Sequence, residues 1–290
     1  VRSSRPDHSG DGGAGHRMVK LRYLGGQQGM KLNRIICVVM IMGVAATSSF
    51  AGPIDTSKIV DLTYSFDSTT VYWPTEKPFE HEFEKFGKTE GGYFYSSAKY
   101  AAPEHGGTHL DAPIHFNEHG IYADQIPLAD CIGPAVVIDF SDRAANDPDA
   151  MLTVEDIAAW EKKYGLIPDG AIVLARSGWG RFWTDRKRYM GTDKPGDTAD
   201  LRFPGFSPDA AQWLLTNRKA AAIAVDTASI DRGASKDFKV HQIWLGANKP
   251  GFENIANADK LPPKGATIFC VPMKIAKGTG GPTRAFALLP

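Results

Sequence analysis

Three histidines and an aspartate fall within eleven residues of this chain, in the run His105-Gly-Gly-Thr-His109-Leu-Asp111-Ala-Pro-Ile-His115. Imidazole nitrogens and a carboxylate oxygen are donors suited to Zn²⁺, Mn²⁺ or Fe²⁺, and three protein ligands leave positions open for water or substrate. The chemistry implied is therefore metal-assisted catalysis. Three of the six histidines after residue 51 lie in this one stretch, which a polar loop would not require.

Spacing decides how these donors can meet. A histidine pair four residues apart usually sits one helical turn apart, but Gly106 and Gly107 within the spacer and Pro113 after it disfavour a helix. In an extended chain, four residues span roughly 13 Å, too far for a common ion. The Gly-Gly pair must therefore bend the chain so that His105 folds back toward His109 and Asp111, which share one strand face. His115 follows the redirecting Pro113 and is expected outside the ligand set, as a general base or acid near activated water. His119, beside Gly120 in a turn-like sequence, is expected at the surface.

Other constellations are weaker. His241 has a carboxylate, Glu253, twelve residues on, a pairing that matters only if the fold carries it to the first cluster. Asp226-Thr-Ala-Ser229-Ile-Asp231 follows an apolar run, where acids either cap turns or buttress a site from behind. The run Lys277 to Arg284 is Gly-rich but lacks a phosphate-loop ending; Arg284 is a candidate for meeting a substrate carboxylate. Tyr72, Trp73, Phe94 and Trp179 are candidates for an aromatic pocket.

The elements that must position these residues are short. Apolar runs at Ile59–Tyr64, Ala135–Phe140, Ala171–Ala175, Ala222–Asp226 and Thr267–Val271 predict buried strands. Thr153 can cap a helix over Val154–Lys163, and Ser207-Pro208-Asp209 opens another through Asn217. The pattern predicts a mixed α/β single domain over residues 52–290, with the charged, Gly- and Pro-rich stretch 181–206 as a long insertion or an oligomer-contact loop.

Composition excludes several classes. The chain is 42% hydrophobic and 23% charged with a formal net charge of zero, so neither a nucleic-acid partner nor an anionic membrane surface is implied. From Met30, a basic pair (Lys31, Arg34), an apolar run Ile35–Ala46 and Ser49-Phe50-Ala51 predict a signal peptide over residues 30–51 and export, to the periplasm. That run is too short for a stable membrane anchor. Residues 1–29 read as a disordered, non-native or over-extended N-terminus. Beyond the leader only Cys131 and Cys270 remain, either one disulfide or two buried thiols.

The run HGGTHLDAPIHF resembles the signature HxGTHxDxPxHF of the cyclase superfamily, which includes bacterial kynurenine formamidases and isatin hydrolases. The resemblance extends to Ile59-Val-Asp-Leu-Thr63, Trp73-Pro74, Asp226–Asp231, His241 with Glu253, and Gly280-Gly-Pro-Thr-Arg284. It implies a swivelling β/β/α fold with a mixed sheet or barrel-like core and flanking helices. It implies that His105, His109 and Asp111 bind the metal, Mn²⁺ or Zn²⁺, and that His115 is the catalytic base. It further implies that His241 and Glu253 complete a second site bridged by Asp111 in two-metal members. A homodimer or homotetramer is implied, in which neighbouring subunits can add apolar residues to the pocket.

The expected function is thus hydrolysis of an amide C–N bond in a small aromatic amide or lactam. Export favours a cyclic amide, isatin opening to isatinate, over N-formylkynurenine as an arylformamidase would take. The rival expectations are a non-catalytic periplasmic metal- or solute-binding protein and a lyase using the same donors.

Overall fold

The computed structural model describes residues 53–290; the predicted leader at 30–51 and the stretch 1–29 lie outside the described residues. In chain order the strands are β1 (Ile59–Asp61), β2 (Glu80–Lys88), β3 (Phe94–Ala101), β4 (His109–Asp111), β5 (Ile132–Asp139), β6 (Met151–Leu152), β7 (Ile172–Arg176), β8 (Gly205–Phe206), β9 (Ala222–Val225), β10 (Gly251–Glu253), β11 (Thr267–Pro272) and β12 (Gly280–Leu288). The helices are α1 (Ser141–Ala144), α2 (Val154–Tyr164), α3 (Arg186–Met190), α4 (Pro208–Asn217) and α5 (Lys239–Trp244).

Hydrogen bonding runs β12-β11-β5-β7-β9-β10-β4 and then returns from β4 to β12, so seven strands close into a mixed barrel with β1 added along β12. Strands β5, β7, β9 and β10 are parallel, and the other barrel pairings are antiparallel. Strands β5, β7 and β9 are largely buried on both faces, which is why they read as unbroken apolar runs rather than as alternations.

Side-chain alternation sorts the barrel into an inside and an outside. Leu110, Val137, Leu174, Ala224, Phe252 and Ala285, drawn from six strands, belong to one buried cluster that fills the interior. Their neighbours Val136, Val173, Ala175, Ile223 and Val225 point outward into a second cluster with Ile157 and Trp160 of α2, Leu214 of α4 and Trp244 of α5. Helix α2 starts where its sequence says it should: Thr153 accepts from the Asp156 amide while the Asp156 carboxylate accepts from the Thr153 amide at 2.8 Å, a reciprocal cap. Helix α4 has Ser207 as cap and Pro208 in its first turn.

Two features depart from the sequence expectations, and a third decides between the alternatives left open for the cysteines. The 181–206 stretch is no loose insertion: Tyr189, Met190, Leu201 and Phe203 join Val71 and Trp179 in a third buried cluster. The hairpin β2–β3 was not foreseen, because it exposes aromatic residues instead of burying them: Phe83 is 55% and Phe86 70% exposed. Cys131 and Cys270 are both free and buried, on neighbouring strand segments whose backbones bond at 2.8 Å. Burial pushes the Cys131 thiol up to about 12, in the direction of the unreactive form.

Candidate metal centre

Strand β4 carries the site because of its position in the barrel wall. Leu110 points into the interior, so His109 and Asp111, one residue to either side, point outward. The antiparallel register sets Glu253 of β10 opposite His109 and Gly251 opposite Asp111. Phe252 turns inward beside Leu110, leaving Glu253 on the same outer face as the β4 donors.

The bend predicted at Gly106-Gly107 is present. Gly107 has φ +57, a left-handed conformation that favours glycine, and a Cβ on Gly106 would lie 2.1 Å from the Tyr72 ring. The fold-back brings His105 Nδ1 to 2.6 Å from Asp111 Oδ1. Gly280 on β12 makes room for it, since a Cβ there would come within 2.6 Å of the His105 ring.

Helix α5 supplies His241, whose Nε2 lies 3.2 Å from Asp111 Oδ2 and 3.4 Å from Glu253 Oε1. His109 Nε2 lies 3.2 Å from Asp111 Oδ1 and 3.4 Å from Glu253 Oε2. The donors therefore form two trios, His105–His109–Asp111 and Asp111–His241–Glu253, with the ligand atoms of each within 4.8 Å of one another. Asp111 belongs to both. The pairing of His241 with Glu253, uninterpretable from spacing alone, is thus explained by the fold.

Each of the three imidazoles has its other nitrogen engaged from outside. His109 Nδ1 donates to the Gly107 carbonyl at 3.0 Å. His241 Nδ1 lies 2.6 Å from Asp231 Oδ2. The Thr279 hydroxyl donates to Glu104 at 2.7 Å and so accepts from His105 Nε2 at 2.9 Å. In every case the inward nitrogen faces the carboxylates, the arrangement by which proteins orient imidazole toward a cation. The sequence reading did not single out Glu104 or Thr279; Glu104 is adjacent to His105, but nothing in the sequence places Thr279 beside it.

The electrostatics agree. Burial raises the Glu253 carboxyl, and the neighbouring Asp111 charge raises it further. Burial would raise Asp111 too, but His105, His109 and His241 outweigh it and hold that carboxyl well below its usual range. At His109, burial favours the neutral ring, yet Asp111 and Glu253 lift its pKa to about 9. Two buried carboxylates thus draw positive charge onto neighbouring imidazoles, a demand that a divalent cation meets with these same donors. The residues present fit a metal.

His115 stands apart from both trios. Its ring stacks on His105 with centroids 3.9 Å apart, and burial, opposed by Asp111, lowers its pKa to about 4. Beside it opens a cavity of about 500 Å³, lined on the apolar side by Val71, Tyr72, Trp73, Phe116 and Phe238. Tyr72 and Trp73, two of the candidates for an aromatic pocket, line this cavity. Phe94, Trp179 and Arg284 do not. Phe94 is on the hairpin and 60% exposed. Trp179 is buried in the third cluster and donates to the Tyr189 carbonyl at 2.8 Å. Arg284 is exposed between buried neighbours on β12 and pairs with Asp61 at 2.7 Å. His119 is exposed, as expected.

The acidic motif of residues 226–231 divides. Asp231 holds His241 from behind and also accepts from the amides of Val240 and His241 at 3.0 Å each. Asp226 accepts from the Ser177 amide at 2.9 Å and hydroxyl at 2.5 Å, and belongs to neither trio.

Comparison with known proteins leads to the same place. The family model named Cyclase, described as "Putative cyclase", matches residues 60–232. An isatin hydrolase of Roseibium aggregatum is 35% identical over 207 residues, 69% of this chain and 77% of that protein. A kynurenine formamidase of Salinibacter ruber is 24% identical over 232 residues, 78% of this chain and 95% of its own. Among solved structures, an isatin hydrolase bound to the product analogue thioisatinate superposes with a TM-score of 0.74 at 31% identity, covering 80% of this chain and 92% of its own. With its barrel, its two trios sharing one aspartate and these relatives, the chain belongs to the cyclase family.

Proposed function

We propose that this protein hydrolyses the amide C–N bond of a small aromatic substrate with a divalent metal, Mn²⁺ or Zn²⁺, one or two ions per subunit. The observation that carries the reading is the adjacency of the buried trios, the unshared His115 and an aromatic-walled cavity, a combination that a pure binding site does not need. When bound, the metal would act as a Lewis acid on the amide carbonyl and on water. His105, His109, Asp111, His241 and Glu253 would hold it.

The chain's own residues account for the proton traffic. His115, kept neutral by burial, takes a proton from the water that attacks the carbonyl carbon, and the same proton passes to the departing nitrogen as the C–N bond breaks. Trp73 and Phe116 line the space beside it.

Isatin, or a neutral lactam like it, is the preferred substrate, with N-formylkynurenine as the alternative. Among the described residues the cavity lining includes Glu76, Glu104, Asp111 and Glu253 but no lysine or arginine, so apart from the metal and its imidazoles an amino-acid carboxylate finds no side chain of fixed positive charge there. The reading of residues 30–51 as an export signal supports the same ranking and a periplasmic location. The exposed aromatic residues of the β2–β3 hairpin support a homo-oligomer.

The test is turnover of isatin, N-formylkynurenine and simple lactams by the purified protein loaded with Mn²⁺ or Zn²⁺. In ¹⁸O-labelled water the new carboxylate must carry label. Turnover without label would make the enzyme a lyase, and stoichiometric metal with no turnover of any amide would leave a binding protein.

A further inference from the structure

Phe238 has φ 50 and ψ 48, in the left-handed region. The other non-glycine residues with positive φ among the described residues are three asparagines and Lys277; asparagine tolerates this conformation, whereas a bulky aromatic residue there is an outlier. Position 238 is also the N-cap of α5, where a short polar side chain normally accepts from the first free amides. That duty is taken over by Asp231, which accepts from Val240 and His241. The backbone at 238 is pinned from both sides, its amide donating to Ser235 Oγ at 3.1 Å and its carbonyl accepting from the Gln242 amide at 3.0 Å.

Nothing in core packing calls for a phenyl group at this point. Phe238 is half-buried and belongs to none of the three hydrophobic clusters. Its ring lies 5.7 Å from Phe116, 5.9 Å from Trp73 and 5.9 Å from His241 between centroids, and it lines the cavity. Glycine would satisfy the same backbone with no steric conflict. A strained conformation that persists beside a site, and that aims an aromatic ring into it, points to a role in the site.

We infer that Phe238 is the wall that makes the cavity selective for flat aromatic ligands, a specificity-determining residue that touches the substrate ring. This rests on the proposal of an aromatic substrate above. The left-handed backbone turns the ring toward Trp73 and Phe116, so that the three aromatic side chains present one surface beside His241.

The test uses the metal-loaded full chain and three variants, Phe238→Ala, Phe238→Gly and Phe238→Leu. Binding of isatin and of the non-aromatic lactam 2-pyrrolidinone is measured by calorimetry with each variant and its reference carrying His115→Ala to suppress turnover, alongside metal content and thermal melting. Isatin should bind about tenfold more weakly to the Ala and Gly variants, the size expected for one lost aromatic contact, with Leu between them and wild type. Pyrrolidinone affinity and metal content should not change. The Gly variant should melt above the Ala variant, since only glycine takes this φ freely.

Unchanged isatin affinity in the Ala and Gly variants overturns the inference, as does equal weakening of both ligands or loss of metal in all three variants. Wild-type binding of isatin without hydrolysis, with the variant pattern intact, overturns the proposed reaction and leaves the wall in place. A wild-type protein that binds no isatin overturns both.

Discussion

Two outward faces of the same barrel have opposite fates. On β7 and β9, the outward residues Val173, Ala175, Ile223 and Val225 are apolar, and α2, α4 and α5 close over them. On β4 and β10, the corresponding positions hold His109, Asp111 and Glu253, and the cover consists of α5, the 105–107 turn and the 113–116 segment, with a cavity left between. The backbone rule is identical on both faces, with alternate residues in and out. The difference lies in what three outward positions carry. Apolar groups draw a helix down until water is gone, whereas buried ionisable groups need partners, and here the partners available are one another.

The largest effect should come from the residue that both trios share. Asp111→Ala should lose bound metal and fall to background turnover, read by elemental analysis beside initial rates; retention of the wild-type metal content would break the contrast drawn here. His115→Ala should keep its metal while turnover falls by about 10²- to 10⁴-fold, the usual worth of a general base; full activity would remove His115 from the chemistry. Gly280→Ala should crowd both the Leu110 carbonyl of β4 and the His105 ring and weaken metal binding by about 10- to 100-fold, the range for disturbed ligand orientation, measured by competition with a chelator.

The smallest effect belongs to the helix-covered face. Asp156 caps α2 and accepts from Arg143, and Asp156→Ala should cost about 1 kcal/mol in denaturant unfolding without touching metal content. Burial would raise the Asp156 carboxyl, but Arg143 and the Thr153 amide lower it below the ordinary 3.8. The contribution is therefore fully present above that ordinary value and is lost as pH falls through the folded one. The gap between wild type and variant should hold at pH 7 and close in acid.

Staves β5, β7, β9 and β11 and the first trio could be read from the sequence because each depends on neighbours in the chain, whereas β10 and β12 carry no such signal. Ala171–Ala175 and Ala222–Asp226 announce buried strands by composition, and the glycines at 106 and 107 announce the bend that returns His105 to Asp111. Features made by closure could not be read this way. Thr279 meets His105 across 174 positions of sequence, and Asp231 differs from Asp226 only in which way the chain turns afterwards. Trp179 and Phe94 have the right chemistry for a pocket, but one is drawn into the third cluster and the other is carried off on the hairpin. Aromatic character marks a residue that wants company without saying whose. Phe116 and Phe238 enter the cavity through segments with no periodic pattern, so neither was singled out.

Strand β4 is only three residues long, yet it is hydrogen-bonded to β10 on one edge and to β12 on the other. The stave that shuts the ring is thus the same one that carries two of the candidate ligands. Prying the seam apart would dismantle the ligand set, so any cation held there acts as a clasp on the whole cylinder. By mass action that clasp strengthens the folded state by about 2.7 kcal/mol when free ion exceeds its dissociation constant a hundredfold. Chelation should therefore register as easier protease entry along the β10–β4–β12 seam, well before the chain as a whole comes undone.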